Sequence, residues 1–116
     1  MTDAQDRRYL AYIRDAIALI QARTQRGYET FRRDIDLQDA VLWRLETLAE
    51  ATGKLSQTTK DRHPDIRWRA LYGFRNIAAH AYLDLRLDEV WEIIDQHLAP
   101  LKAVVDEELE PPPSLP

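Results

Sequence analysis

Hydrophobic positions recur with a helical period along nearly the whole chain. Tyr9, Tyr12, Ile13, Ala16, Ile17 and Ile20 step by three and four residues, the spacing of a stripe along one helix face, and the stripe fades near Gly27. A second stripe of Leu37, Val41, Leu45, Leu48, Thr52 and Leu55 follows Asp36, a side chain suited to cap a helix N-terminus, while Gly53 lowers helix propensity near its end. Ser56-Gln57-Thr58-Thr59 reads as a loop or a frayed last turn, and Pro64 stands where it can open the next element. Ile66, Ala70, Phe74, Ile77 and Ala81 mark a third helix. The alternating run Leu83-Asp84-Leu85-Arg86-Leu87 is too short to pair as a strand by itself and is read as a connection. Asp88 is placed to cap a fourth helix with Val90, Trp91, Ile94, Leu98, Leu101 and Val105 on its inner face, bent at Pro100. Glu110 to Pro116 contains too much proline to continue it and predicts an extended tail. The expected fold is all-α, an antiparallel bundle of four main helices over residues 1–109 with a Pro-rich tail over residues 110–116.

Composition narrows the chemistry. The 116 residues suit one domain, and the absence of cysteine excludes disulfides, thiol nucleophiles, iron–sulfur clusters and every Cys-containing zinc site. No run approaches the ~20 apolar residues that span a bilayer, and Met1 to Asp6 lacks the regions of a secretion signal, so a cytoplasmic address without membrane attachment is expected. The net charge of −4 is unevenly spread. Between Lys60 and Arg75 the bases Lys60, Arg62, Arg67, Arg69 and Arg75 face only Asp61 and Asp65, whereas Asp84 to Glu110 carries nine acids against Arg86 and Lys102. Thirteen of the 16 bases are arginine, whose planar guanidinium grips phosphate in a bidentate way that an ammonium does not. A solvated Arg-rich helix face accounts for the charge equally well.

The segment Arg75-Asn76-Ile77-Ala78-Ala79-His80-Ala81-Tyr82 gathers a guanidinium, a carboxamide, an imidazole and a phenol. Asn76 and His80 are four residues apart and share a helix face, but Arg75 and His80 are five apart, roughly 140° around the axis. The long arginine could bridge that angle, the helix could loosen near Ala79, or a second copy of the chain could supply the missing neighbour. Attack of an RNA 2'-OH on its own phosphate needs a group that titrates near neutral pH and a cation to stabilise the phosphate oxygens, and it needs no metal. His80 and Arg75 meet those needs, and Asn76 can orient either. Taken as bare spacing, the same residues also fit a histidine complementing a helix C-terminus and an arginine in a salt bridge.

The flanking residues change that balance. Asp39-Ala40-Val41-Leu42-Trp43-Arg44-Leu45-Glu46, Ala49-Glu50-Ala51, Pro64-Asp65-Ile66-Arg67-Trp68-Arg69, the Arg75-to-Tyr82 motif, Val90-Trp91-Glu92-Ile93-Ile94 and Leu98-Ala99-Pro100-Leu101 together make the chain resemble the HEPN superfamily, and within it the HepT-like toxins of toxin–antitoxin pairs. Ala49 and Ala81 depart from the family pattern, each standing where glycine is expected. The resemblance implies a helical homodimer with a composite active site in the cleft between protomers, acting as a metal-independent endoribonuclease on cellular RNA, tRNA favoured, without a cofactor. It implies that Arg75 stabilises the scissile phosphate, His80 is the general acid/base and Asn76 orients them. It further implies a partner antitoxin, a minimal (MNT-type) nucleotidyltransferase that transfers AMP onto Tyr82. The contrasting reading keeps the helical dimer as a non-catalytic module that binds a nucleotidyltransferase or RNA.

Other residues carry weaker expectations. His63 and His97 lack a second ligand at helical spacing, so no metal site is expected. Glu46 and Glu50 are four residues apart and are candidates to support Arg75 from the neighbouring helix, although a solvated face is the commoner role for such a pair. Arg67 and Arg69 are candidates for contacts with RNA phosphates. Trp43, Trp68 and Trp91 are expected to anchor the core or a dimer interface, Trp68 packing rather than stacking on a base.

Overall fold

The structure, a computed structural model, describes residues 3–84 and 86–110, the side chains of Tyr82 and Asp84 excepted. Its helices are α1 (Ala4–Arg23), α2 (Tyr28–Arg33), α3 (Ile35–Gly53), α4 (Gln57–Asp61), α5 (Trp68–Asp84) and α6 (Leu87–Leu109), with no strand among the described residues. The four long helices are the expected bundle. Each packs antiparallel to its neighbours, as three cross-links show: the Tyr12 hydroxyl donates to Thr47 Oγ1 between the start of α1 and the end of α3, Arg75 reaches Glu50 between α5 and α3, and Arg7 donates to the Leu109 carbonyl between α1 and α6. Leu10, Ile13, Ile17, Ile20, Val41, Leu45, Leu48, Ala78, Val90, Leu98, Leu101 and Val105 are sealed from solvent along the axis. These are largely the positions that the three- and four-residue stepping selects, because only one stripe of each helix can face a shared core.

Two short helices were not expected. Gly27 adopts φ 93, a left-handed conformation open to glycine, and the chain leaving it forms α2. Fully buried Phe31 and its neighbour Tyr28 pack on Trp91 with ring centroids 5.6 Å apart in each pair, fixing α2 to the start of α6. Asp34 then both ends α2 and caps α3, its carboxylate accepting from Leu37 N–H at 3.1 Å, so Asp36 sits in the first turn instead of at the cap. Ser56-Gln57-Thr58-Thr59 is no loop: Ser56 caps α4, accepting from Thr59 N–H at 3.2 Å.

The remaining boundaries also shift. Pro64 lies in the turn between α4 and α5, and α5 starts at Trp68, whose indole N–H donates to the carbonyls of Lys60 and His63 at 3.2 and 3.1 Å and so closes the end of α4. The connection expected at residues 83–87 is shorter, since α5 continues to Asp84 and α6 begins at Leu87. Arg86 occupies the cap position without a side-chain cap bond and pairs instead with Glu89 at 2.6 Å, which places Asp88 within the first turn, where its charge favours the helix dipole. α6 runs on through Pro100 to Leu109. The tail expected beyond Glu110 lies outside the described residues.

One end of the bundle is tied by a polar network as well as by apolar packing. Asp6 on α1 is only 2% exposed, and its carboxylate accepts from Ser56 N–H (3.0 Å), Ser56 Oγ (2.6 Å) and Thr59 Oγ1 (2.5 Å). Arg62 donates to Thr59 Oγ1 at 3.1 Å and forks onto Glu108 of α6 at 2.7 and 3.0 Å, where His63 Nε2 also lies 2.6 Å from a Glu108 oxygen. Burial raises the pKa of Asp6, but the hydrogen bonds from Ser56 and Thr59, with Arg62 nearby, outweigh it and hold the carboxyl below its ordinary value. A carboxyl whose folded pKa is depressed contributes stability that is full above its unfolded pKa and is lost as pH falls through the folded value. Asp6→Asn is therefore expected to lower unfolding free energy by about 2 kcal/mol at neutral pH, with the gap to wild type closing below about pH 4. Urea unfolding across that range measures it, and equal stability at pH 7 contradicts it.

Candidate active site

The motif residues lie on α5, which turns one side to α3 and α6 and the other to solvent. Leu71, Phe74, Ala78 and Ala81 face the core, and Asn76 and His80 fall on the exposed side. Tyr72, Asn76 and His80 follow one another at four-residue steps and form one ridge, with Arg75 beside it. The Tyr82 backbone belongs to α5, and its phenol lies outside the described residues.

Arg75 is held by α3. Its guanidinium carbon stands 4.2 Å from the Tyr72 ring centroid, and its Nη1 is 3.5 Å from Glu50 Oε2. Its Nε is buried with no hydrogen-bond partner. The Glu50 contact is long and both side chains are substantially open to solvent, 38% for Arg75 and 48% for Glu50, so the pair orients the arginine while neutralising little of its charge. Of the two glutamates considered as supports, Glu50 makes this contact, and Glu46 makes no ion pair with Arg75 among the described residues.

The ring beneath Arg75 depends on Gly53. A Cβ placed at Gly53 would overlap the Tyr72 ring, so the absence of a side chain there lets the phenol lie against the end of α3. The helix-weakening glycine of the sequence is thus a notch. Glu50 also lines a groove of about 740 Å³ between α1 and α3, together with Arg8, Tyr9, Tyr12, Thr47 and Lys54.

The structure separates the other candidates. Arg69 lines an opening between α4 and α5, whereas Arg67 borders a small cavity with Ile66, Leu71, His97 and Pro100 toward α6. His97 packs edge-on against Phe74, with centroids 5.0 Å apart, and His63 is engaged by Glu108. No group of acids and histidines able to hold a metal ion occurs among the described residues. Trp91 packs in the interior and Trp68 is a half-buried anchor, but Trp43 is 53% exposed with the Arg44 guanidinium over its ring, so it is no core residue. No described helix is long and apolar enough to cross a membrane.

The ridge of α5 thus exposes a carboxamide and an imidazole beside a partly open guanidinium, and comparison with known proteins shows the family to which the chain belongs. The family model "Ribonuclease HepT-like" matches residues 13–108. The chain belongs to the HepT-like ribonuclease family. It is 33% identical over 95 residues to "Probable ribonuclease HepT" of Thermococcus cleftensis, covering 81% of this chain and 86% of that one. It is 28% identical over 105 residues to "Putative RNase TTE0752" of Caldanaerobacter subterraneus, covering 90% and 94%. A third relative, "Gamma-glutamylcyclotransferase and putative RNase MJ0434" of Methanocaldococcus jannaschii, is 30% identical over 95 residues, which span 81% of this chain and 43% of that longer protein. No solved structure matches the chain significantly.

Gly53→Ala is expected to displace Tyr72 and, with it, Arg75, reducing RNA cleavage about tenfold or more while the helical circular dichroism is retained. Initial cleavage rates measure the effect, and an unchanged rate contradicts the notch.

Proposed function

We propose that this family member is a metal-independent endoribonuclease toxin whose active site is completed by a second copy of the chain. The observation that carries the reading is Arg75 itself. A guanidinium seated on Tyr72, loosely paired with Glu50 and still 38% open to solvent, is available to a phosphate oxygen, and exposed Asn76 and His80 lie beside it on the same helix. Arg75 and His80 lie about 140° apart around α5, so pairing two copies of the ridge across a two-fold axis supplies each arginine with a histidine facing it.

In that cleft one His80 takes the proton from the 2'-OH, whose oxygen attacks the adjacent phosphorus. The bond to the 5'-oxygen breaks, and that leaving oxygen takes up a proton from water. The products are a 2',3'-cyclic phosphate and a 5'-hydroxyl. Arg75 stabilises charge building on the non-bridging oxygens, and Asn76 orients the imidazole or the phosphate. Arg69, at the opening between α4 and α5, extends the cationic surface along the RNA backbone, and the favoured substrate is tRNA.

Control by a nucleotidyltransferase antitoxin follows the same electrostatics. Transfer of AMP from ATP onto the Tyr82 phenol, with pyrophosphate leaving, sets an anionic phosphodiester two residues from His80 and seven from Arg75 in the sequence, where it takes the place of substrate and repels RNA. Tyr82→Phe is expected to keep cleaving RNA but to escape silencing by the antitoxin and ATP; full silencing of that variant contradicts the assignment.

For the catalytic reading, purified wild type and His80→Ala are incubated with cellular RNA in EDTA and the product 3' ends mapped. Cleavage by wild type alone, leaving cyclic-phosphate ends, is the expected result. Absence of cleavage by a folded wild-type dimer overturns the reading in favour of a binding module.

A further inference from the structure

The opening between α4 and α5, about 520 Å³, is lined by Gly53, Gln57, Lys60, Trp68, Arg69 and Tyr72. No acidic residue contributes to its walls. Several cations elsewhere on the described surface are paired with carboxylates: Arg32 and Arg33 with Glu29, Arg62 with Glu108, Arg86 with Glu89 and Lys102 with Asp106. Lys60 and Arg69 make no ion pair among the described residues, although they border the same opening. The Gln57 amide is already engaged by Asp61 at 2.8 Å, and the Trp68 indole N–H is turned inward to the carbonyls of Lys60 and His63. The cationic donors free in the opening are therefore the ammonium of Lys60 and the guanidinium of Arg69, with the rings of Trp68 and Tyr72 in the same lining.

We infer that this opening is a subsite for one nucleotide of a single-stranded RNA substrate, its phosphate held by Lys60 and Arg69 and its base lying against Trp68 and Tyr72. Tyr72 gives the subsite its place in the reaction. The residue whose ring carries Arg75 also forms a wall of the opening, so the phosphate bound there is a neighbour of the scissile one on the same strand. Two adjacent cations without acids favour a phosphodiester, and an aromatic wall accepts any base, giving an anchor with little sequence preference. The inference rests on the ribonuclease reading for the identity of the substrate, but its test does not require cleavage.

In the non-cleaving His80→Ala background, binding of a fluorescein-labelled single-stranded RNA oligonucleotide is followed by fluorescence anisotropy over a range of salt concentrations. Adding Lys60→Gln and Arg69→Gln is expected to weaken binding about tenfold and to make the salt dependence shallower by about 0.7 in log–log slope, the share of one phosphate contact on a single strand. Arg14→Gln combined with Arg26→Gln, which removes two exposed cations far from the motif in sequence, serves as the matched charge control. In the His80-intact protein the same double change is expected to raise KM with little effect on kcat. Binding by the double variant equal to that of the Arg14→Gln/Arg26→Gln control, or no RNA binding by the His80→Ala protein at all, overturns the subsite. If the double change weakens binding while wild type fails to cleave, the subsite stands and the ribonuclease reading falls.

Discussion

The close approach of α5 to the end of α3 is the constraint on which the site depends. The Tyr72 ring can lie against the end of α3 only where that helix lacks a side chain, and Gly53 provides that place. Once the ring is seated, the guanidinium of Arg75 has a surface to lie on and Glu50 as a lateral guide, and the exposed ridge of Asn76 and His80 has a fixed direction. Leu71, Phe74 and Ala78 secure the opposite face of the helix in the core. The reactive groups are thus mounted on a rigid element, where small errors of position would be costly.

A second contribution comes from the end of the bundle near α4. Asp6 satisfies two donors of Ser56 and one of Thr59, and the Arg62 fork to Glu108 ties the same turn to α6. No buried side-chain nitrogen or oxygen of that turn lacks a partner, so the segment leading into α5 is specified by directional bonds as well as by apolar contact. α4 in turn presents Lys60 beside Arg69. Stability at this end of the molecule and the arrangement of its free cations therefore share one origin.

The long helices were legible in the sequence because each carries several turns of apolar residues at a 3.6-residue period. The five- and six-residue helices were not, since neither is long enough to show a period, and Ser56-Gln57-Thr58-Thr59 has the composition of a loop until Asp6, fifty residues away, supplies its acceptors. Asp34 and Asp36 were equally good caps by residue type, and α2, ending at Arg33, decides between them. The motif from Arg75 to Tyr82 could be read directly, and so could Glu46 and Glu50 as candidate supports. Which glutamate reaches Arg75 depends on how α3 and α5 are offset, and that offset is set by a glycine that local reasoning treats only as a weakness. The bidentate hold of Arg62 on Glu108 joins residues 46 apart and left no local signal.

The central claim is that Arg75 of one protomer works with His80 of another. Mixing Arg75→Ala protein with His80→Ala protein under conditions of subunit exchange tests it most directly, because each mixed dimer then holds one site with both groups intact and one with neither. Neither parent cleaves RNA alone, and the account predicts that mixing restores about a quarter of the wild-type rate, half of the dimers being mixed and half of their sites complete. Verified exchange without any return of cleavage contradicts it.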